Sequence, residues 1–169
     1  MEKEAQIIAG LFTLMEIDDF ALITVTQIAQ EAEIGRKTFY RYFKNKEAVL
    51  ERSIEQLFSE YAAYEQNYSA ETYETLIYHH FTFWYQHSTQ LNVLYKNDLM
   101  FYLFKHYQQR IPQLNAAYIR REKLEPTVAK YANAFTTGIF WSTLYTWIET
   151  GAKETPAELA KICSTFLSH

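Results

Sequence analysis

The chain has 169 residues, a net charge of −4, three prolines, four glycines and one cysteine. A single cysteine excludes an internal disulfide and a cysteine-based zinc site, and fits a reducing, cytoplasmic compartment. No strand-like alternation or hairpin signal of useful length occurs, so periodicity predicts an all-α chain whose helices meet few Pro or Gly interruptions. The N-terminal MEKEAQ is charged and lacks the apolar stretch of a signal peptide. Ile7, Ile8, Leu11, Leu14 and Met15 then form one stripe, predicting a first helix that ends near Asp18 and Asp19.

Thr24-Val25-Thr26-Gln27 has the spacing of a capping box, which opens a second helix with Ile28, Ala29 and Ala32 on its small apolar face. Ala29 is small enough to let a third helix approach. That third helix begins after Gly35, a tolerated N-cap, and a fourth begins at Lys46 after the better cap Asn45. Between them, Arg36 to Lys46 (RKTFYRYFKNK) carry five Lys/Arg and no Asp/Glu, so the local charge is +5 against −9 for the rest of the chain. Phe39, Tyr40, Tyr42 and Phe43 interleave with the cations. Such a segment, with an apolar side for docking and a cationic side for a polyanion, is either a solvated helix face or a nucleic-acid surface. The helix-turn-helix pattern before it favours nucleic acid.

Ile23 to Leu50, ITVTQIAQEAEIGRKTFYRYFKNKEAVL, resembles the DNA-binding signature of the tetracycline-repressor-like (TetR) family. Thr24, Val25, Ile28, Ala29, Ala32, Thr38, Phe39, Tyr40, Phe43, Lys46 and Glu47 fall in register with that signature. Two positions depart from it: Glu33 stands where the family usually has a turn Gly, and Gly35 where it often has Ser. A Glu at positive φ costs roughly 1 kcal/mol relative to Gly. By side-chain chemistry Arg36 and Lys37, at the start of the recognition helix, suit guanine O6 and N7, and Thr38 suits a thymine methyl or a phosphate. The resemblance assigns Tyr40, Tyr42, Lys46 and Thr26 to phosphate. Arg41 and Lys44 either contact DNA or are solvated, and Phe39 and Phe43 belong to the core.

Beyond Asn45 the fourth helix runs to about Tyr64 on Val49, Leu50, Ile54, Leu57, Phe58 and Tyr61. A body of at least four more helices follows. They are predicted at Thr72 to His87, Gln90 to Lys96, Leu99 to Arg110 with a kink or break at Pro112, and Thr127 to Thr150, ended by Gly151. Thr155 caps a last helix with Leu159, Ile162, Cys163, Phe166 and Leu167 as its stripe. The division is therefore a helix-turn-helix head at 1–46 and a helical bundle at 47–169. Tyr131 to Ile148 is an uncharged run of 18 residues, but its Asn, Ser and Thr content points to a buried interface helix rather than a membrane span. The last two helices resemble those through which TetR-like subunits pair, placing Trp147 and Phe166 against a partner.

Tyr78, Phe81, Trp84, Tyr85, Tyr107, Phe135 and Trp141 either line a cavity for an apolar or aromatic effector, as the family's ligand domains do, or fill an aromatic core. His79, His80 and His87 lack a completing carboxylate for a metal set. No Gly-rich phosphate loop or catalytic triad pattern is found, so neither a cofactor nor an enzyme is expected. The reading is a homodimeric transcriptional repressor that binds a palindromic operator in double-stranded DNA with an affinity that responds to a small ligand. Its rival is a ligand-independent DNA-binding protein or partner-dependent activator on the same fold.

Overall fold

The computed structural model describes residues 2–68 and 72–167, and every element among them is helical. The head comprises α1 (Glu2–Ile17), α2 (Val25–Glu31) and α3 (Arg36–Tyr42), and α4 (Lys46–Glu65) leads into the body. There α5 (Tyr73–Gln86), α6 (Ser88–Lys96), α7 (Met100–Arg121), α8 (Pro126–Glu149) and α9 (Pro156–Leu167) complete the bundle. Leu167 was expected on the last apolar stripe, and its side chain lies outside the described residues.

Local capping explains the boundaries. The Thr24 hydroxyl accepts from the Gln27 N–H at 3.3 Å and the Gln27 side chain accepts from the Thr24 N–H at 2.9 Å, closing the expected capping box. Asn45 Oδ1 accepts from the Ala48 N–H at 2.9 Å, and Thr72 does the same for Thr75 at 3.1 Å. At α9 the box Thr155/Glu158 is also complete, and these hydrogen bonds to Thr155 hold the Glu158 carboxyl below its usual range. Pro112 does not break α7, which runs unbroken through it. The cost is local, because proline has no N–H to give the Gln108 carbonyl.

One buried core runs from head to body. Ile7, Leu11, Ile28, Phe39, Val49, Leu50 and Ile54 lie in its head portion, with Phe58, Tyr61, Phe81, Trp84, Tyr107 and Trp147 further along in the body. Where α1 crosses the end of α2, Gly10 is the close-approach residue. A Cβ there would lie 3.2 Å from the Ala32 nitrogen, so even a methyl would press on backbone. In the body α9 lies along α5, and α7 packs on α8 and α4. Trp147, expected against a partner, is instead buried in its own chain: it contacts Phe81 edge-on at 5.9 Å and donates to the Glu154 carbonyl at 3.0 Å. Phe166 does face outward, at 79 % exposure. No described helix is long and apolar enough to cross a membrane.

Candidate nucleic-acid interface

Four backbone hydrogen bonds shape the turn between α2 and α3. The Glu33 N–H bonds to Gln30, the Ile34 N–H bonds to the Ala29 carbonyl at 2.9 Å, and Gly35 opens α3 by accepting from Thr38 and Phe39. Glu33, which stands where the resembled signature has glycine, sits at φ 51, in the left-handed region that favours glycine. Gly35 has nothing within 4 Å of an added Cβ, so a serine would fit. Phe39 is fully buried and Phe43 nearly so, as expected of core residues, and together they anchor α3 from beneath.

The opposite face of α3 is open. Arg36, Lys37, Tyr40, Arg41 and Tyr42 are exposed, Thr38 is half-buried, and Thr26 is exposed on the first turn of α2. Arg41 lies over the Tyr42 ring at 5.2 Å. No described ion pair engages Arg36, Lys37, Arg41 or Lys44. The cations are therefore available to an external anion, and Arg36 and Tyr40, one turn apart, share a face.

Lys46 departs from the expected arrangement. Its ammonium donates to the carbonyls of Phe20 at 2.6 Å, Ile23 at 2.8 Å and Ala21 at 2.9 Å, and lies 4.7 Å from the centre of the Phe20 ring. All three N–H donors of the side chain are thus engaged within the head. A phosphate contact through this group would require breaking that lock, so Lys46 is placed as a fastener of the α1–α2 loop. Sequence periodicity could not reveal this, because the acceptors are backbone atoms of a segment with no motif.

Among the described recesses, none is walled by the expected effector residues together. Phe81, Trp84 and Tyr107 are buried and packed: Trp84 stacks on Tyr107 at 5.6 Å and meets Phe58 edge-on at 5.7 Å. Tyr78, Tyr85 and Phe135 are exposed, and Trp141 is half-buried against Phe104 at 5.0 Å. None of the seven but Tyr78 lines a described cavity. Tyr78 borders a shallow recess of about 260 Å³ between α5 and α9. A second recess of about 240 Å³ lies between α7 and α8, walled by Phe104, Gln108, Pro112, Asn133, Thr137 and Gly138.

The polar groups of the body core form a chain that no motif signalled. The Tyr61 hydroxyl lies 2.7 Å from His80 Nδ1, the Tyr107 hydroxyl 3.1 Å from His80 Nε2, and Arg110 pairs with Glu65 at 3.2 Å. Burial lowers His80 to about 3, so its ring is neutral and carries one N–H. Burial also pushes both phenols well above their usual range, and Glu65 upward. The Glu65 carboxylate beside Tyr61 attracts that phenol's proton. The consistent assignment therefore has Nδ1–H donating to Tyr61, and Nε2 accepting from Tyr107. His79 stacks on Tyr68 at 4.1 Å and His87 lies against Phe83 at 4.4 Å; among the described residues no group of His, Cys, Asp and Glu could hold a metal.

Comparison with known proteins agrees with this geometry. Residues 7–60 match the family described as bacterial regulatory proteins, tetR family, and residues 71–169 match a transcriptional regulator C-terminal region. The HTH-type transcriptional regulator EthR of Mycolicibacterium smegmatis is 46% identical over 56 residues, which are 33% of this chain and 26% of that protein. The matched segment thus spans about a quarter of that relative's length. Among solved structures, the transcriptional regulator FadR from Bacillus subtilis in complex with stearoyl-CoA superposes with a TM-score of 0.69 at 20% identity, covering 93% of each chain. The dihydroxyacetone kinase operon activator DhaS superposes with a TM-score of 0.65 at 18% identity, covering 98% of this chain and 92% of that one. A matched helix-turn-helix head joined to a matched regulatory body makes this chain a transcriptional regulator of the tetR family.

Proposed function

We propose that the protein works in the cytoplasm as a homodimeric repressor, without a catalytic step, reading a pseudo-palindromic operator through α3. The observation that carries the reading is the exposed, unpaired cationic face of α3 on a head otherwise held by apolar packing and caps. Arg36 and Lys37 reach base edges, Thr38 a thymine methyl or phosphate, and Tyr40, Tyr42 and Thr26 position the backbone. Two such heads read half-sites about 34–36 Å apart or a multiple of it. Selection from a random DNA pool should return an inverted repeat. Arg36→Ala or Lys37→Ala should then relax base preference by about 1–3 kcal/mol at one position per half-site. Recovery of the same motif with both variants would move these side chains to the backbone class.

The ligand response is proposed on the family's terms, and FadR's stearoyl-CoA is a property of that neighbour. The packing of Phe81, Trp84 and Tyr107 favours a second reading, in which the body responds to a protein partner or to nothing, because an effector among these rings would have to displace them. A thermal-shift screen separates the two. A compound that raises the melting temperature and changes operator affinity supports the first reading, and a screen without one supports the second.

A further inference from the structure

The α1–α2 loop is held from two sides by side chains far apart in sequence. From the body, Asn97 at the C-terminal end of α6 accepts from the Phe20 N–H through Oδ1 at 2.7 Å and donates through Nδ2 to the Met15 carbonyl at 3.0 Å. The same amide nitrogen donates to Val93 of its own helix at 2.9 Å, which fixes the side chain's direction. From the other side, Lys46 at the start of α4 takes the Phe20 carbonyl. The Phe20 residue thus gives its N–H to the body and its carbonyl to the first turn of the helix that follows α3. Its ring, 8% exposed, is held beneath the Lys46 ammonium.

This joint differs in kind from the charge pairs nearby. Arg52–Glu4 ties α4 to α1 and Lys105–Glu51 ties it to α7, but Arg52 and Lys105 are about half exposed, and such pairs contribute little. The Asn97 contacts are part-buried and satisfy a helix-end carbonyl and a loop N–H that no helix partner reaches. Asparagine suits the task because its side chain offers an acceptor and two donors at one point. The corner it occupies is itself fixed: the Asn97 N–H bonds to the Val93 carbonyl, Asp98 adopts φ 57, and Leu99 bonds back to Leu94. Leu91, Leu94 and Leu103 on either side of the corner are fully buried in the body core. A displacement of the α6–α7 corner therefore pulls on Phe20, and through its carbonyl on Lys46 at the start of α4.

We propose that Asn97 is the positioning residue that fixes the angle of the head on the body, and thereby the operator spacing that the dimer accepts. The spacing clause rests on the homodimeric reading above, whereas the angle clause concerns one chain alone. The test uses the full-length chain with spin labels at Gln30→Cys and Gln109→Cys, both exposed, in a Cys163→Ser background and diluted with unlabelled chain so that only intrachain pairs are read. Asn97→Ala is expected to broaden the head-to-body distance distribution at unchanged helix content. It should also reduce discrimination between the selected operator and one with a spacer altered by one base pair by about tenfold, within the usual range for coupling between sites. Half-site base preference should stay the same. If Asn97→Ala does not fold, Asn97→Asp serves: it keeps the acceptor for Phe20, loses both Nδ2 bonds, and must also broaden the distribution. An unbroadened distribution, even with lowered thermal stability, overturns the proposal. A wild-type selection that returns no paired half-sites sinks the homodimer reading instead, and the distance measurement still decides Asn97.

Discussion

Lys46 illustrates how a residue's charge and its task can separate. A free cation at the start of a helix near DNA is a natural phosphate ligand, yet this one is fully hydrogen-bonded to three loop carbonyls. Lys46→Ala should therefore weaken operator binding through the fold. The variant loses charge-assisted bonds and leaves carbonyls without donors, a loss of about 1–3 kcal/mol in unfolding free energy. The slope of log K against log salt should stay unchanged, where a true phosphate ligand would lower it by about one unit. A salt titration and a thermal melt on the same variant check both. His80 makes a second residue-scale case. Its folded value of about 3 lies below the ordinary 6.5, so between those values the unfolded chain takes up a proton that the folded chain refuses. Its contribution is complete above pH 6.5 and is lost as pH falls, by up to about 1.4 kcal/mol per pH unit. His80→Gln should flatten the pH dependence of urea unfolding between pH 6 and 4 by a slope of that order. Parallel curves for the two proteins would show that His80 is charged in the fold.

Elements were legible where one chemical rule decided them. Thr24/Gln27, Asn45 and Thr155 with Pro156 announce helix starts because capping is a local bond between neighbours in sequence. Gly151, at φ 91, ends α8 for the same reason. What could not be read was any feature set by distant backbone: the close approach of Gly10 to Ala32, the Asn97 joint and the unbroken course of α7 through Pro112. Exposure behaves similarly. Trp147 and Phe166 sit on equally apolar stripes, and only packing tells that the first faces inward and the second outward. Ile162 and Phe166 on α9 are 48% and 79% exposed, and Val128, Tyr131 and Phe135 form an exposed row on α8. A charge at Phe166 is harmless in an isolated protomer and strongly unfavourable in a dry interface. Phe166→Glu should sediment as a folded monomer, and a stable dimer would place the interface elsewhere.

At the scale of the molecule, α4 belongs to both parts, with Val49 and Leu50 toward the head and Leu57, Phe58 and Tyr61 in the aromatic core. Two of the rings expected to wall an effector, Trp84 and Tyr107, help hold that helix to the body through Phe58 and Tyr61. Tyr61, Phe83, Trp84 and Tyr107 meet at 5.0 to 5.6 Å and leave Trp84 fully buried. Removing such a ring opens a cavity that its neighbours cannot fill, at a cost of roughly 3–5 kcal/mol. That is a large share of the about 5–15 kcal/mol that holds a domain folded. Trp84→Ala should accordingly lower the melting temperature steeply and lose operator binding together with the fold. Tyr85→Ala, one residue along but 47% exposed, should change stability by no more than about 0.5 kcal/mol. Circular-dichroism melts paired with operator titrations make the comparison. A Trp84→Ala protein that melts like the wild type, binds operator unchanged and differs only toward a small ligand would restore the aromatic core as the effector site.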